Sequence, residues 1–177
     1  MKIFVTVGTQ LPFDRLISAV DAWAADGPHD VFAQIGPTEL RPRHVRFRDF
    51  VDPATFDREY GEADLVVAHA GMGSILTALQ MRKPIVIVPR VAALGEHRND
   101  HQRSTADRFR ATGGVYVADD ENALTLLLAD VSQLTGPEAG FSGDAQPTLL
   151  RAISDFVNNQ PRARRRARLW RSVRGVR

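Results

Sequence analysis

The chain has 177 residues, of which 44% are hydrophobic and 25% charged, with a formal net charge of +2 and no cysteine. That is ordinary for a soluble globular protein with one sizeable core, and it excludes disulfides, thiolate catalysis and cysteine-ligated zinc. No apolar run approaches the roughly 20 residues a membrane span needs, and the opening MKIFVTVG runs straight into a strand-like segment and does not read as a signal peptide, so the cytoplasm is the expected compartment.

Lys2–Val7 is an apolar, β-rich run punctuated by Gly8-Thr9-Gln10. Pro12 and Asp14 fit a helix start, with Leu16, Ile17, Val20 and Trp23 at helical spacing. Strands are expected at Val31–Ile35 and Val45–Phe50, then a short helix over Pro53–Gly61 with proline in its first turn. Asp64–Ala68 is a buried-strand pattern, broken by His69-Ala70-Gly71-Met72-Gly73-Ser74. Ser74–Met81 is predicted helical and Pro84–Pro89 a strand. Asn99–Ala111 reads as a helix stopped by Gly113-Gly114, Val115–Ala118 as a sixth strand and Asn122–Val131 as a leucine-rich helix. Thr135–Gln146 is loop-like and Thr148–Asn158 a final helix. Strands alternating with helices predict a Rossmann-like α/β fold: a parallel sheet with helices on both faces. Residues 1–160 are expected to form this domain.

The segment 64–102 concentrates the chemistry. A strand, glycine turn, helix and strand place helix N-termini at strand carboxyl ends, where α/β proteins bind ligands. Gly71 and Gly73 permit a tight turn and close approach of a ligand to the backbone. Ser74 is a candidate N-cap or ligand contact, and free N–H groups with the helix dipole favour an anion such as phosphate. Spacing alone leaves an ordinary βαβ turn equally open. In the same way His69 can be a structural histidine, and Asn99-Asp100-His101-Gln102 a capped, solvated helix start.

MKIFVTVGTQLPFDRL, HAGMGSILTAL at 69–79, KPIVIVPR at 83–90 and GEHRNDHQ at 95–102 together resemble the nucleotide-sugar-binding C-terminal domain of glycosyltransferase family 28. The similarity is collinear over roughly residues 1–130. Within the family the chain is most similar to short bacterial exopolysaccharide glycosyltransferases (PssE-like), relatives of the catalytic subunit of the two-component N-acetylglucosaminyltransferase of N-glycan synthesis. The resemblance implies the donor-binding half of a GT-B enzyme. It also implies an inverting hexosyl transfer from a UDP-sugar to a lipid-linked acceptor in exopolysaccharide or capsule synthesis.

What the resemblance implies for the site is as follows. Gly8 and Thr9 lie near the donor phosphates or the domain cleft. His69, Gly71, Gly73 and Ser74 meet the diphosphate, and His101 and Gln102 meet the sugar. Many family members carry Glu where this chain has Thr77, and its carboxylate holds the ribose hydroxyls; threonine cannot chelate a diol in that way, which leaves Glu96 as a possible substitute from the following loop. No metal or other cofactor is expected, since GT-B enzymes neutralise the leaving diphosphate with helix N-termini and side chains. Only His97 and His101 among the five histidines have a His-x-x-x-His spacing, and the expected helix starts between them.

No catalytic base is assigned in this chain, because a GT-B enzyme needs a second half for the acceptor. A membrane-anchored acceptor-binding subunit is the expected partner. Two other readings stand beside this one: a non-catalytic enhancer subunit of another transferase, and a nucleotide-binding regulatory module. Residues 161–177 hold 8 Arg and no acid; the other 160 residues carry 15 Lys+Arg (23 less 8) against 21 Asp+Glu. This basic tail, expected to be disordered, contains Leu169, Trp170 and Val173 and suits an anionic membrane surface. The acidic body argues against nucleic acid. The expected location is therefore peripheral, at the inner face of the plasma membrane.

Overall fold

A computed structural model describes residues 1–138. The predicted helix at 148–158, most of the loop after 135, the domain limit at 160 and the basic tail lie outside the described residues.

Among the described residues, six parallel strands form one sheet: β1 (Lys2–Thr6), β2 (Asp30–Gln34), β3 (Arg46–Arg48), β4 (Leu65–His69), β5 (Ile85–Val88) and β6 (Val115–Val117). The order is β3-β2-β1-β4-β5-β6, as a Rossmann-like sheet requires. β1 and β4 pair in register from Ile3 opposite Leu65 to Thr6 opposite Ala68, and β4 and β5 pair to His69 opposite Val88. These three central strands are apolar runs because both of their faces are buried. β3 is shorter than its sequence pattern suggests. It is an edge strand held only by β2, and its Arg46-Phe47-Arg48 alternates between exposed and half-buried positions.

Among the described residues, five α-helices cover the sheet: α1 (Asp14–Ala24), α2 (Pro53–Glu62), α3 (Met72–Gln80), α4 (His101–Phe109) and α5 (Glu121–Ala129). Leu16, Ile17 and Val20 of α1 and Leu124 and Leu128 of α5 pack with Ile3, Val5, Val67 and Val86 in one core. On the opposite face Phe4 meets Phe56 and Tyr60 of α2 edge-on, with ring centroids 5.4 and 5.7 Å apart. Asp52 caps α2 by accepting from the Thr55 N–H at 3.0 Å, with Pro53 in the first turn.

Two helix starts differ from the sequence reading. α3 begins at Met72, with Gly71 rather than Ser74 as its N-cap residue, so Ser74 sits inside the first turn. α4 begins at His101, two residues late, behind a 3₁₀ turn at Ala92–Leu94. Among the described residues, no helix is long and apolar enough to cross a membrane.

Candidate functional site

The strand order reverses between β1 and β4, and the crevice at such a switch point is the ligand site of open α/β sheets. A cavity of about 290 Å³ opens there, lined by Val7 to Leu11 after β1, His69 at the end of β4 and Gly71 beyond it, and Arg90, His97, His101 and Gln102 after β5. A larger cavity of about 820 Å³ lies between α1 and α5, beside Trp23 and His29. Its lining comes from α1, α5 and the segments that follow them and includes no residue from the carboxyl ends of the strands, so the smaller crevice is the better candidate.

His69 organises the centre. Its ring stands between two glycines: a Cβ on Gly8 would come within 3.0 Å of Cε1, and one on Gly71 within 2.2 Å of Nε2. Gly8 adopts φ +78, a left-handed conformation that favours glycine. Its N–H donates to Thr6 Oγ1 at 3.2 Å and its carbonyl accepts from Gln34 Nε2 at 3.1 Å. Gly71 is needed for the ring and not for a left-handed turn: its φ is −86 and ψ 135. Gly73 also lacks a positive φ, and a Cβ there would meet nothing within 4 Å. The His69 ring therefore explains why residue 71 is glycine.

No side chain caps α3. The Ile75 N–H donates to the Gly71 carbonyl at 3.2 Å, so the N–H groups of Met72, Gly73 and Ser74 are the ones left open at this end. The Ser74 carbonyl accepts from the buried Tyr60 hydroxyl at 2.6 Å, which fixes the first turn of α3 to α2.

Burial, reinforced by the nearby Arg90 charge, pushes the His69 imidazole down to about 4, so the ring is neutral at pH 7. Its Nδ1 is buried without a hydrogen-bond partner, as is that of His97. The His97 and His101 rings meet edge-to-face with centroids 4.4 Å apart. Burial and His97 lower the pKa of His101. Asn99 Oδ1 accepts from the His101 main-chain N–H at 3.3 Å and also contacts Nδ1, leaving Nε2 as the free end of the ring. Gln102 is buried, and its Oε1 accepts from the Arg90 N–H at 3.1 Å. Asp100 does not cap α4 with its side chain; it accepts from the Ala92 N–H at 2.8 Å.

Of the ten residues expected at the site, the crevice collects Gly8, Thr9, His69, Gly71, His101 and Gln102. Gly73, Ser74 and Thr77 lie on the first two turns of α3 beside it. Glu96 has another occupation. Arg15 grips its carboxylate through two bonds of 2.7 and 3.0 Å, and the Val91 N–H donates to Oε2 at 2.8 Å, so it is not free to replace the missing ribose carboxylate. Among the described residues, no carboxylate lines the crevice. Among the described residues, no group of three His, Asp or Glu side chains could hold a metal ion. The sequence reading missed Arg90 altogether. An arginine that follows Pro89 at a strand end carries no sign that it turns inward.

Known proteins similar to this chain point one way. It is 29% identical over 126 residues, 65% of its length, to the UDP-N-acetylglucosamine transferase subunit ALG13 of Mus musculus, and 39% identical over 74 residues, 42% of its length, to that of Eremothecium gossypii. It is 30% identical over 94 residues, 45% of its length, to the UDP-N-acetylglucosamine--N-acetylmuramyl-(pentapeptide) pyrophosphoryl-undecaprenol N-acetylglucosamine transferase of Chlorobium luteolum. It spans only 10%, 30% and 26% of those three proteins. In fold it is similar to the solution structure of ALG13 (TM-score 0.59, 21% identity, 88% of this chain and 96% of that one). It is similar also to Acinetobacter baumannii MurG (TM-score 0.58, 20% identity, 89% and 49%). The sequence pattern of the glycosyltransferase family 28 C-terminal domain matches residues 2–139, and the chain belongs to that family.

Proposed function

We propose that this chain is the donor-binding catalytic subunit of an inverting GT-B glycosyltransferase that moves a hexose from a UDP-sugar to a lipid-linked acceptor. The observation that carries the reading is the crevice between β1 and β4. The glycine loop after β1, His69 and Gly71 line it, the open N–H groups at the start of α3 follow directly on Gly71, Arg90 adds a positive charge, and among the described residues no carboxylate lines it. Such a donor set suits a diphosphate. As the sugar–phosphate bond breaks, charge grows on the departing diphosphate, and preorganised N–H donors stabilise it without reorganisation. Gly8, Thr9, His69, Gly71, Gly73 and Ser74 are assigned to the diphosphate. The free Nε2 of His101 and the amide of Gln102 are assigned to the sugar. Thr77 gives the ribose one hydroxyl at most. Because phosphate is met by N–H donors, donor binding needs no divalent ion.

This chain corresponds to one half of a GT-B enzyme. The acceptor and the general base are assigned to a separate membrane-anchored subunit. Support for a partner comes from the relatives that are themselves transferase subunits. The similarity to PssE-like exopolysaccharide enzymes supports a surface polysaccharide as product, and the basic tail supports a peripheral place at the inner membrane face.

The test is calorimetric titration of UDP and UDP-sugars with magnesium or with EDTA. Equal binding in both is expected; strict dependence on the ion refutes the donor set. Transfer by the reconstituted pair and not by the chain alone is the second expectation. Full transfer by the isolated chain on a soluble acceptor would refute the two-subunit arrangement, and unimpaired transfer by a pair carrying Ser74→Ala and His69→Ala together would favour a non-catalytic enhancer.

A further inference from the structure

Arg90 follows β5 and is only 2% exposed. Its Nη2 donates to the carbonyls of Val7 at 2.9 Å and Leu11 at 2.8 Å, and its Nη1 to those of Pro12 and, at 3.4 Å, Glu96. The guanidinium lies over the Phe13 ring, 4.6 Å from its centroid. All four terminal N–H groups are thus spent on main-chain oxygens, and none on a carboxylate. The nearby Glu96 carboxylate is held by Arg15. The loops that Arg90 joins, 7–12 and 90–102, are two of the three walls of the crevice. A buried charge is costly when no ion of opposite sign meets it, and neutral donors could have tied the same carbonyls. The charge has a use if an anion enters above it.

We propose that Arg90 is a positioning residue for the diphosphate site: it locks the loop after β1 to the loop after β5 and holds a positive charge, hydrogen-bonded to no carboxylate among the described residues, beneath the crevice. This rests on reading the crevice as a nucleoside-diphosphate site. Lysine cannot replace the fork, since one ammonium offers three donors from a single point, but it keeps the charge.

The experiment uses the full chain with Arg90→Met and Arg90→Lys. It reads UDP and uridine affinity by calorimetry, exchange of the Gly8 amide by NMR, and titration of the His69 ring, whose other titratable neighbour, His97, is untouched. Arg90→Met should weaken UDP binding roughly tenfold or more and uridine binding less than about threefold, because the lost interaction is with charge. It should also speed Gly8 exchange and raise the His69 pKa. Arg90→Lys should speed Gly8 exchange and leave His69 titrating as in the parent. Equal loss of UDP and uridine, or an unchanged His69 titration in Arg90→Met, overturns the electrostatic role. Where Arg90→Met does not fold, Arg90→Lys decides, and Gly8 exchange as slow as in the parent overturns the lock. A parent chain that binds no UDP refutes the proposed function, while exchange and titration, which need no nucleotide, still decide the role of Arg90.

Discussion

Two glycines two residues apart should answer alanine in opposite ways. At Gly71 the backbone itself tolerates a side chain, since φ is −86 and ψ 135. The obstacle is the His69 ring: the new Cβ would stand 2.2 Å from Nε2 and 2.9 Å from both Cδ2 and Cε1. The ring cannot retreat towards β1, because Gly8 lies close on its other side. Gly71→Ala must therefore displace the imidazole or the start of α3, and overpacking of this kind costs about 1–3 kcal/mol. At Gly73 a Cβ meets open space, and alanine in place of glycine in a helix contributes up to about 1 kcal/mol. Urea melts at pH 7.5 measure both. In a His69→Ala background the clash partner is gone, so Gly71→Ala should cost little there, with a coupling of about 1–3 kcal/mol between the two positions. A Gly71→Ala protein as stable as the parent, or equally destabilised with and without the imidazole, refutes the account of the turn.

The buried His69 should make the fold acid-sensitive. Its ring takes a proton near 6.5 when unfolded and near 4 when folded, so the unfolded chain binds more protons between those values and stability falls as pH falls through that window. At about 1.36 kcal/mol per pH unit the full effect is about 3 kcal/mol. A stability difference between the parent and His69→Gln that stays flat from pH 7.5 to 4.5 would contradict this. Tyr60 is fully buried and donates to the Ser74 carbonyl. Tyr60→Phe should destabilise by about 1–2 kcal/mol and weaken UDP binding by loosening the first turn of α3; thermal melts and calorimetry check both, and an unchanged melt refutes the anchor.

The scaffold was legible because its rules are local. β1, β4 and β5 announce themselves as unbroken apolar runs since each is buried on both faces, and Pro53 marks the start of α2 by its place in the first turn. The first turn of α3 was misplaced for a physical reason. Serine is a good N-cap, but here the N-cap is Gly71, with no side-chain cap, and glycine is there because the His69 ring leaves no room for a Cβ, a fact of contact and not of propensity. Gly8 and His69 could each be singled out, yet their packing against one another, across 61 positions of chain, leaves no periodic trace. Arg90 lies further still from legibility, with carbonyl partners 78 to 83 residues earlier in the chain. Glu96 and Arg90 look alike in the sequence as ionisable residues at the end of one strand. Their environments give them opposite parts: Arg15 and the Val91 N–H bind the acid and hold it out of the crevice, while the base is hydrogen-bonded only to main-chain oxygens beneath the crevice, the arrangement on which its proposed role rests.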